Sequence, residues 1–125
     1  MADAPKAAGS RILVVDDSVD SAETLGELLR IWGHEVRLAH DGPGAVEAAR
    51  EYLPEVILLD IGLPGMDGFA VATQLRKEKI GGRMLVALTG YGEQQDRKRT
   101  QEVGFDHHLV KPIDPDTLQK LLVRK

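Results

Sequence analysis

Cysteine is absent from the 125 residues, and so are long apolar runs and any excess of basic residues. Without cysteine the chain has neither disulfides nor thiolate chemistry, which suits the reducing cytoplasm where we expect it to act. No apolar run approaches the roughly 20 residues that cross a bilayer, and the alanine-rich N-terminus lacks the apolar core of a signal peptide. The 16 basic and 20 acidic residues give a net charge of -4, whereas nucleic-acid-binding domains are usually basic. We therefore expect neither a membrane nor a nucleic acid as a direct partner.

The length of the chain fits one domain with its own core. Folding at this size hides roughly two-thirds of the surface of the unfolded chain. Hydrophobic residues make up 42% and charged residues 29%, as in an ordinary globular protein. We expect a disordered lead-in over residues 1–10 and a single domain over residues 11–125.

Apolar segments of strand length alternate along the chain with amphipathic segments of helix length. The predicted strands are Arg11–Val15, Glu35–Ala39, Val56–Leu59, Met84–Leu88 and His107–Val110. The predicted helices are Ser21–Trp32, Gly44–Leu53, Gly68–Lys79, Gly92–Val103 and Pro115–Val123. Five strand-then-helix units in this order predict a doubly wound α/β domain, (βα)5, in which a parallel sheet lies between two layers of helices.

Two of these segments differ from the rest. The strand Glu35–Ala39 alternates between polar and apolar residues, whereas a strand covered on both faces is apolar nearly throughout, so we expect this one at an edge of the sheet. The helix Gly92–Val103 is almost wholly polar. A helix with so little apolar surface is either mobile or completed by a partner.

Carboxylates stand where two of the predicted strands end. Asp16 and Asp17 follow the first strand, and Asp60 follows the third. The carboxyl ends of parallel strands form the edge at which α/β sheets bind ligands. Carboxylates that share a site repel one another unless a cation lies among them, and oxygen ligands suit a hard ion such as Mg²⁺. The sequence therefore predicts a metal-assisted phosphate site at this edge.

Thr89 and Lys111 extend the pattern to the fourth and fifth strands, because each follows the last apolar residue of its strand. Taken singly, each residue of this edge has an ordinary interpretation. An aspartate after a strand forms a turn or caps a helix, a threonine before glycine belongs to a turn, and a lysine is solvated. All five residues lie at one predicted edge, and this coincidence favours a functional site.

The motifs around these residues resemble the receiver domain of response regulators in two-component signalling. The resemblance extends over nearly the whole chain, from Arg11 to Val123. It rests on four motifs, which are Val14 to Asp17, Leu58 to Gly68, Leu88 to Gly90 and Val110 to Pro112. It implies a flavodoxin-like fold whose parallel strands lie in the order 2-1-3-4-5.

The resemblance implies a role for each charged residue of the edge. Asp60 would be the phosphoacceptor, whose carboxylate attacks phosphorus and becomes an acyl phosphate. Mg²⁺ would be held by Asp16, Asp17, Asp60 and the backbone carbonyl of Gly62. Lys111 would place its ammonium against the Asp60 carboxylate or its phosphate. Such a domain modifies itself and is not a turnover enzyme.

The resemblance also implies how the phosphate would be sensed. Thr89 would donate its hydroxyl to a phosphoryl oxygen, and His108, where the family more often has tyrosine or phenylalanine, would move with it as a switch. The peptide bond before Pro112 would be cis, as X–Pro bonds permit. The switch would alter a partner surface made by Gly92–Val103, the fifth strand and the last helix. The phosphoryl group would come from a histidine kinase or a histidine phosphotransfer protein.

The residues alone leave other functions open. A Mg²⁺-dependent aspartyl phosphohydrolase would need an acid–base residue, commonly an aspartate two positions beyond the nucleophile, where this chain has Gly62. An interaction domain that has lost phosphorylation would have no need of the five edge residues. A zinc site at His107 and His108 is disfavoured, because neighbouring residues of a strand point to opposite faces.

The protein to which such a receiver would belong is a separate question. The stretch from Gly104 to Pro112 resembles receivers attached to hybrid histidine kinases. Both a stand-alone receiver and the receiver of such a kinase are compatible with the sequence, which identifies neither the kinase nor the downstream target.

Overall fold

The computed structural model describes residues 9–62, 68–90 and 103–122. Its elements are β1 Arg11–Val15, α1 Val19–Ile31, β2 Glu35–Ala39, α2 Gly42–Tyr52, β3 Val56–Asp60, α3 Gly68–Lys77, β4 Met84–Thr89, β5 His107–Val110 and α4 Pro115–Leu122. None of the helices in these ranges is long and apolar enough to span a bilayer. The predicted helix Gly92–Val103 lies outside the described residues as far as residue 102, and Val103 is in a turn.

The sheet has five strands in the order β2-β1-β3-β4-β5, and every neighbouring pair is parallel. This confirms the predicted strand order and the edge position of β2. Val15 pairs with Leu59, and Asp60 pairs with Leu88. The central strands therefore end side by side, and the residues that follow them emerge at one edge.

Apolar residues of the strands alternate between two clusters, one on each face of the sheet. Leu13 and Val15 belong to the cluster that includes α2 and α3, whereas Ile12 and Val14 belong to the cluster that includes α1 and α4. All four side chains are 0% exposed. Full burial of an aliphatic side chain stabilises the fold by about 1.5–3 kcal/mol, so the predicted three-layer arrangement is confirmed and has a clear energetic basis.

Two strands run one residue further than their apolar pattern predicted. Asp60 is the last residue of β3 and Thr89 is the last residue of β4. Both take part in the strand pairing, since Asp60 lies opposite Leu88 and Thr89 opposite Val110. The sheet register thus holds the backbone of both polar residues.

The first two helices begin two residues earlier than predicted, because polar side chains cap them. The Ser18 hydroxyl accepts the backbone N–H of Ser21 at 3.3 Å, and α1 starts at Val19. The Asp41 carboxylate accepts the N–H of Gly44 at 2.7 Å, and α2 starts at Gly42. Such caps satisfy N–H groups that the helix itself leaves without partners.

Helix ends also follow from local chemistry. The predicted cap Asp114 is confirmed, since its carboxylate accepts the Thr117 N–H at 3.0 Å at the start of α4. Gly33 follows α1 with a φ of 98°, the left-handed conformation that ends helices. Lys79 has a φ of 62°, which helical backbone does not allow. The helix α3 accordingly ends at Lys77, two residues earlier than predicted.

Ser10, which the sequence placed in the lead-in, makes several contacts with the folded domain. Ser10 is 3% exposed and donates its N–H to Nδ1 of His34 at 3.1 Å. Its carbonyl accepts the N–H of Glu35 at 3.0 Å, and its hydroxyl accepts from Arg83 at 3.4 Å. The remainder of the predicted lead-in, residues 1–8, lies outside the described residues.

The partly buried position of His34 predicts a dependence of stability on pH. Burial, followed by the charge of Arg83, lowers the pKa of His34 below its ordinary value of 6.5. The unfolded chain therefore takes up a proton at a higher pH than the folded chain does. The free energy of unfolding should be fully retained above about pH 6.5 and should decrease as the pH falls through the lowered folded pKa.

Urea unfolding at a series of mildly acidic pH values measures this dependence. His34→Asn removes the titration but keeps an acceptor at the δ position, so its free energy of unfolding should vary less with pH than that of the wild type. His107→Asn, at an exposed histidine of β5, serves as the control and should behave like the wild type. An unchanged pH dependence in His34→Asn would contradict the assignment.

Candidate functional site

Three carboxylates converge at the carboxyl edge of the sheet. One oxygen from each of Asp16, Asp17 and Asp60 lies within 4.8 Å of the others. Asp16 is buried, Asp17 is exposed and Asp60 is between these extremes. This convergence follows from the parallel register of β1 and β3, whose ends lie side by side.

Lys111 directly follows β5, a strand at the edge of the sheet, and adds a positive charge to the cluster. Its ammonium Nζ lies 3.1 Å from Asp16 Oδ2 and 3.0 Å from Asp60 Oδ2. Its backbone N–H donates to the Thr89 carbonyl at 2.7 Å, which continues the pairing of β5 with β4. The peptide bond between Lys111 and Pro112 is cis, as the resemblance implied.

Two opposing effects act on the Lys111 ammonium. Burial alone would lower the pKa of Lys111, but the hydrogen bonds that its ammonium donates to Asp60 and Asp16, together with their negative charge, outweigh burial, so the pKa lies above its ordinary value of 10.5. Lys111 is therefore charged at neutral pH. The cluster contains one ammonium and three carboxylates, so its net charge is negative. This charge favours the binding of a cation.

Backbone N–H groups hold the carboxylates in place. Asp16 Oδ1 accepts the N–H of Ser18 at 2.9 Å, and Asp60 Oδ1 accepts the N–H of Gly62 at 2.8 Å. Three carboxylates whose oxygens lie this close, together with the net negative charge, suit a hard divalent cation such as Mg²⁺, which prefers oxygen ligands. The residues present therefore suit the predicted metal, whereas ligation by the Gly62 carbonyl stays a prediction.

Buried Thr89 and partly buried His108 form a polar pair at the end of β4. Thr89 is 0% exposed, and its Oγ1 lies 2.8 Å from Nε2 of His108. His108 lies opposite Ala87 on β4, so its imidazole reaches along the sheet to the end of that strand. The structure thus brings Asp16, Asp17, Asp60 and Lys111 into one cluster and joins Thr89 to His108.

The two adjacent histidines of β5 differ in exposure. His107 is exposed and His108 is partly buried, as expected for neighbouring strand residues on opposite faces. Within residues 9–62, 68–90 and 103–122, the group of side chains that could hold a metal ion consists of the three aspartates alone.

The structure adds one residue to the edge that sequence reasoning missed. His40 directly follows β2, and its ring Nδ1 lies 3.0 Å from the backbone carbonyl of Asp16. The signal was present in the sequence, because a polar residue after the second strand lies at the same edge as the residues after the other strands.

An apolar groove of about 800 Å³ opens beside Asp16 and Lys111, and its lining includes Leu25, Leu28 and Ile113.

Comparisons with known proteins agree with this architecture. PilH of Pseudomonas aeruginosa is 34% identical over 114 residues, which cover 90% of this chain and 94% of that protein. The probable transcriptional regulator ycf27 of Pyropia yezoensis is 38% identical over 109 residues, and the aligned region spans 44% of that protein. The response regulator PleD of Caulobacter vibrioides is 40% identical over 106 residues, which make up 23% of its length.

This chain is also similar to solved structures and matches the profile of a protein family. The chemotaxis protein CheY4 of Vibrio cholerae superposes with a TM-score of 0.84 at 31% identity, covering 90% of this chain and 95% of CheY4. The profile of the response regulator receiver domain matches residues 12–123. The chain therefore belongs to the response regulator receiver domain family of two-component signalling.

Proposed function

We propose that this receiver domain, over residues 11–125, accepts a phosphoryl group on Asp60 and changes a partner surface in response. The donor would be a histidine kinase or a histidine phosphotransfer protein. The observation that carries the proposal is the convergence of three carboxylates and one ammonium around Asp60, whose Oδ2 lies 3.0 Å from Lys111 Nζ. This grouping provides a nucleophile, oxygen ligands for a cation and a fixed positive charge in one place.

The chemistry follows from the contacts of Asp60. One of its carboxylate oxygens forms a bond to phosphorus while the bond from phosphorus to the donor atom breaks, and the donor keeps that electron pair. Lys111 and the Gly62 N–H orient the carboxylate before transfer. Asp16, Asp17 and Asp60 would hold Mg²⁺, with the Gly62 carbonyl as a further ligand. Bound Mg²⁺ would neutralise charge that develops on the transferring phosphoryl group.

The pair of Thr89 and His108 supports a switch role for both residues. A phosphoryl group on Asp60 adds negative charge and three strong acceptor oxygens. These oxygens would compete with the His108 ring for the Thr89 hydroxyl, which lies 2.8 Å from Nε2 of His108. Movement of the hydroxyl would leave the imidazole with a changed partner and favour a second arrangement of β5. The predicted partner surface consists of β5, α4 and the segment Gly92–Val103.

Two rival functions have less support. A phosphohydrolase would need an acid–base side chain two positions beyond Asp60, and Gly62 there offers its backbone N–H to Asp60 instead. A domain for protein interaction alone would have no use for Lys111 between two partly or fully buried carboxylates. Burial of such charges is costly and is tolerated where a function requires it. A receiver that modifies itself and does not turn over substrate agrees better with both observations.

Intact-mass spectrometry tests the proposal directly. The wild-type protein incubated with acetyl phosphate and Mg²⁺ should gain the mass of one phosphoryl group, and chelation of Mg²⁺ with EDTA should prevent the gain. In the phosphorylated protein, the NMR signals of the Thr89 methyl group and the His108 ring should shift. Failure of the folded wild type to gain mass with a range of phosphodonors would contradict the proposal.

A further inference from the structure

Hydrogen bonds from several directions fix the backbone and side chain of Asp16. Its N–H donates to the Ala39 carbonyl at 3.1 Å. Its two carboxylate oxygens accept from the Ser18 N–H at 2.9 Å and from Lys111 Nζ at 3.1 Å. Its carbonyl lies 3.0 Å from Nδ1 of His40. The His40 contact is made to the peptide group on the C-terminal side of Asp16.

The chemistry of this contact determines the tautomer of His40. A backbone carbonyl can only accept a hydrogen bond, so the Nδ1 atom of the His40 ring must carry the proton. His40 therefore acts as a donor to Asp16. Because His40 is exposed and follows the edge strand β2, its position depends on this bond more than on packing.

The carbonyl that His40 binds belongs to the peptide bond joining Asp16 to Asp17. In an extended strand the side chains of adjacent residues point to opposite faces of the sheet. Oxygens of Asp16 and Asp17 nevertheless lie within 4.8 Å of each other and of Asp60. The chain must therefore leave strand geometry after Val15, the last residue of β1, and the connecting peptide must keep one orientation for both carboxylates to face the same ion.

We propose that His40 is a positioning residue, which holds the peptide between Asp16 and Asp17 so that both carboxylates face one divalent cation. The inference rests on the proposed function, because it concerns the proposed Mg²⁺ site. Lys111 binds the Asp16 carboxylate itself and would share that oxygen with an arriving cation. His40 instead binds the backbone carbonyl of Asp16, so it orients the pair without occupying a carboxylate oxygen. Groups that orient metal ligands commonly change metal affinity when they are removed.

Isothermal titration calorimetry with Mg²⁺ alone, at neutral pH and without a phosphodonor, tests this role. His40→Leu removes the donor and should weaken Mg²⁺ binding about tenfold, the low end for residues that orient ligands. His40→Asn places an amide N–H donor at the same δ position and should bind Mg²⁺ within about twofold of the wild type. His107→Leu, at an exposed histidine of β5, is the matched control and should leave the affinity unchanged.

The outcomes separate this role from the proposed function. If His40→Leu binds Mg²⁺ as tightly as the wild type, the role of His40 is overturned while the metal site stands. If His40→Asn loses as much affinity as His40→Leu, the hydrogen bond is not what matters, and the inference is likewise overturned. Absence of Mg²⁺ binding by the wild type would overturn the proposed metal site and the role of His40 together. Thermal unfolding without Mg²⁺ should be the same for all four proteins.

Discussion

Replacement of Asp60 by asparagine should reduce phosphoryl uptake to background. An amide nitrogen or amide oxygen is a far weaker nucleophile than a carboxylate and cannot form a stable acyl phosphate. Asparagine keeps the shape of the side chain and an acceptor for the Gly62 N–H, which lies 2.8 Å from Asp60 Oδ1. The variant should therefore remain folded, since it also removes one of the three repelling carboxylates. Intact mass after incubation with acetyl phosphate and Mg²⁺ measures the effect.

Asp20→Asn is the matched control for this experiment. Asp20 is an exposed aspartate in the first turn of α1 and lines the groove beside the site, but it is not one of the three clustered aspartates. It should take up phosphoryl like the wild type. If Asp60→Asn still gains one phosphoryl group, the acceptor is another residue and the assignment of Asp60 is wrong.

Replacement of Gly68 by alanine should destabilise the fold by about 3 kcal/mol, the upper range for an overpacked core. An added Cβ would lie 2.3 Å from the Cα of Ile61, 2.9 Å from its Cβ and 3.0 Å from the carbonyl oxygen of Asp60. Because the nearest of these atoms is backbone, no side-chain rotation can relieve the clash. The N–H of Gly68 also donates to the Ile61 carbonyl at 3.1 Å, so any backbone shift costs a hydrogen bond as well.

The same substitution should reduce phosphorylation, because the residues that must move adjoin Asp60. Urea unfolding measures the stability change, and the initial rate of phosphoryl uptake measures the functional one. Gly26→Ala within α1 is the control, since its added Cβ would meet the flexible end of Leu38 at 3.2 Å and alanine favours helix by roughly 0.5–1 kcal/mol. If both alanine variants unfold alike, the close approach of Gly68 to Ile61 does not limit stability.

Much of the fold could be read from periodic patterns. The apolar strands β1, β3 and β4 are continuous in the sequence because both of their faces are covered, and they were predicted to within one residue. The alternation in Glu35–Ala39 correctly placed β2 at an edge. The starts of α1 and α2 were harder to predict, since Ser18 and Asp41 act as caps through hydrogen bonds that begin each helix before its apolar stripe does, whereas the starts of α3 and α4 were predicted correctly.

The candidate site could be predicted to a similar extent. Asp16, Asp17, Asp60 and Lys111 were recognised because each follows or ends a strand, and the structure places them in one cluster. The N–H donors that hold the carboxylates were not foreseen. Backbone hydrogen bonds of this kind depend on loop conformation, which residue type alone does not specify.

Sequence patterns alone indicate which residues alternate, which strands are covered on both faces and which polar residues meet at the carboxyl edge. These properties depend on the spacing at which apolar residues recur in the sequence and on the parallel direction of the strands. Three contacts became visible in the folded chain alone: Thr89 bonds His108, His40 contacts the carbonyl of Asp16, and Gly68 has no space for a Cβ. Each of these contacts joins residues that are not neighbours in the sequence. Their geometry depends on register and helix packing, which no local pattern encodes.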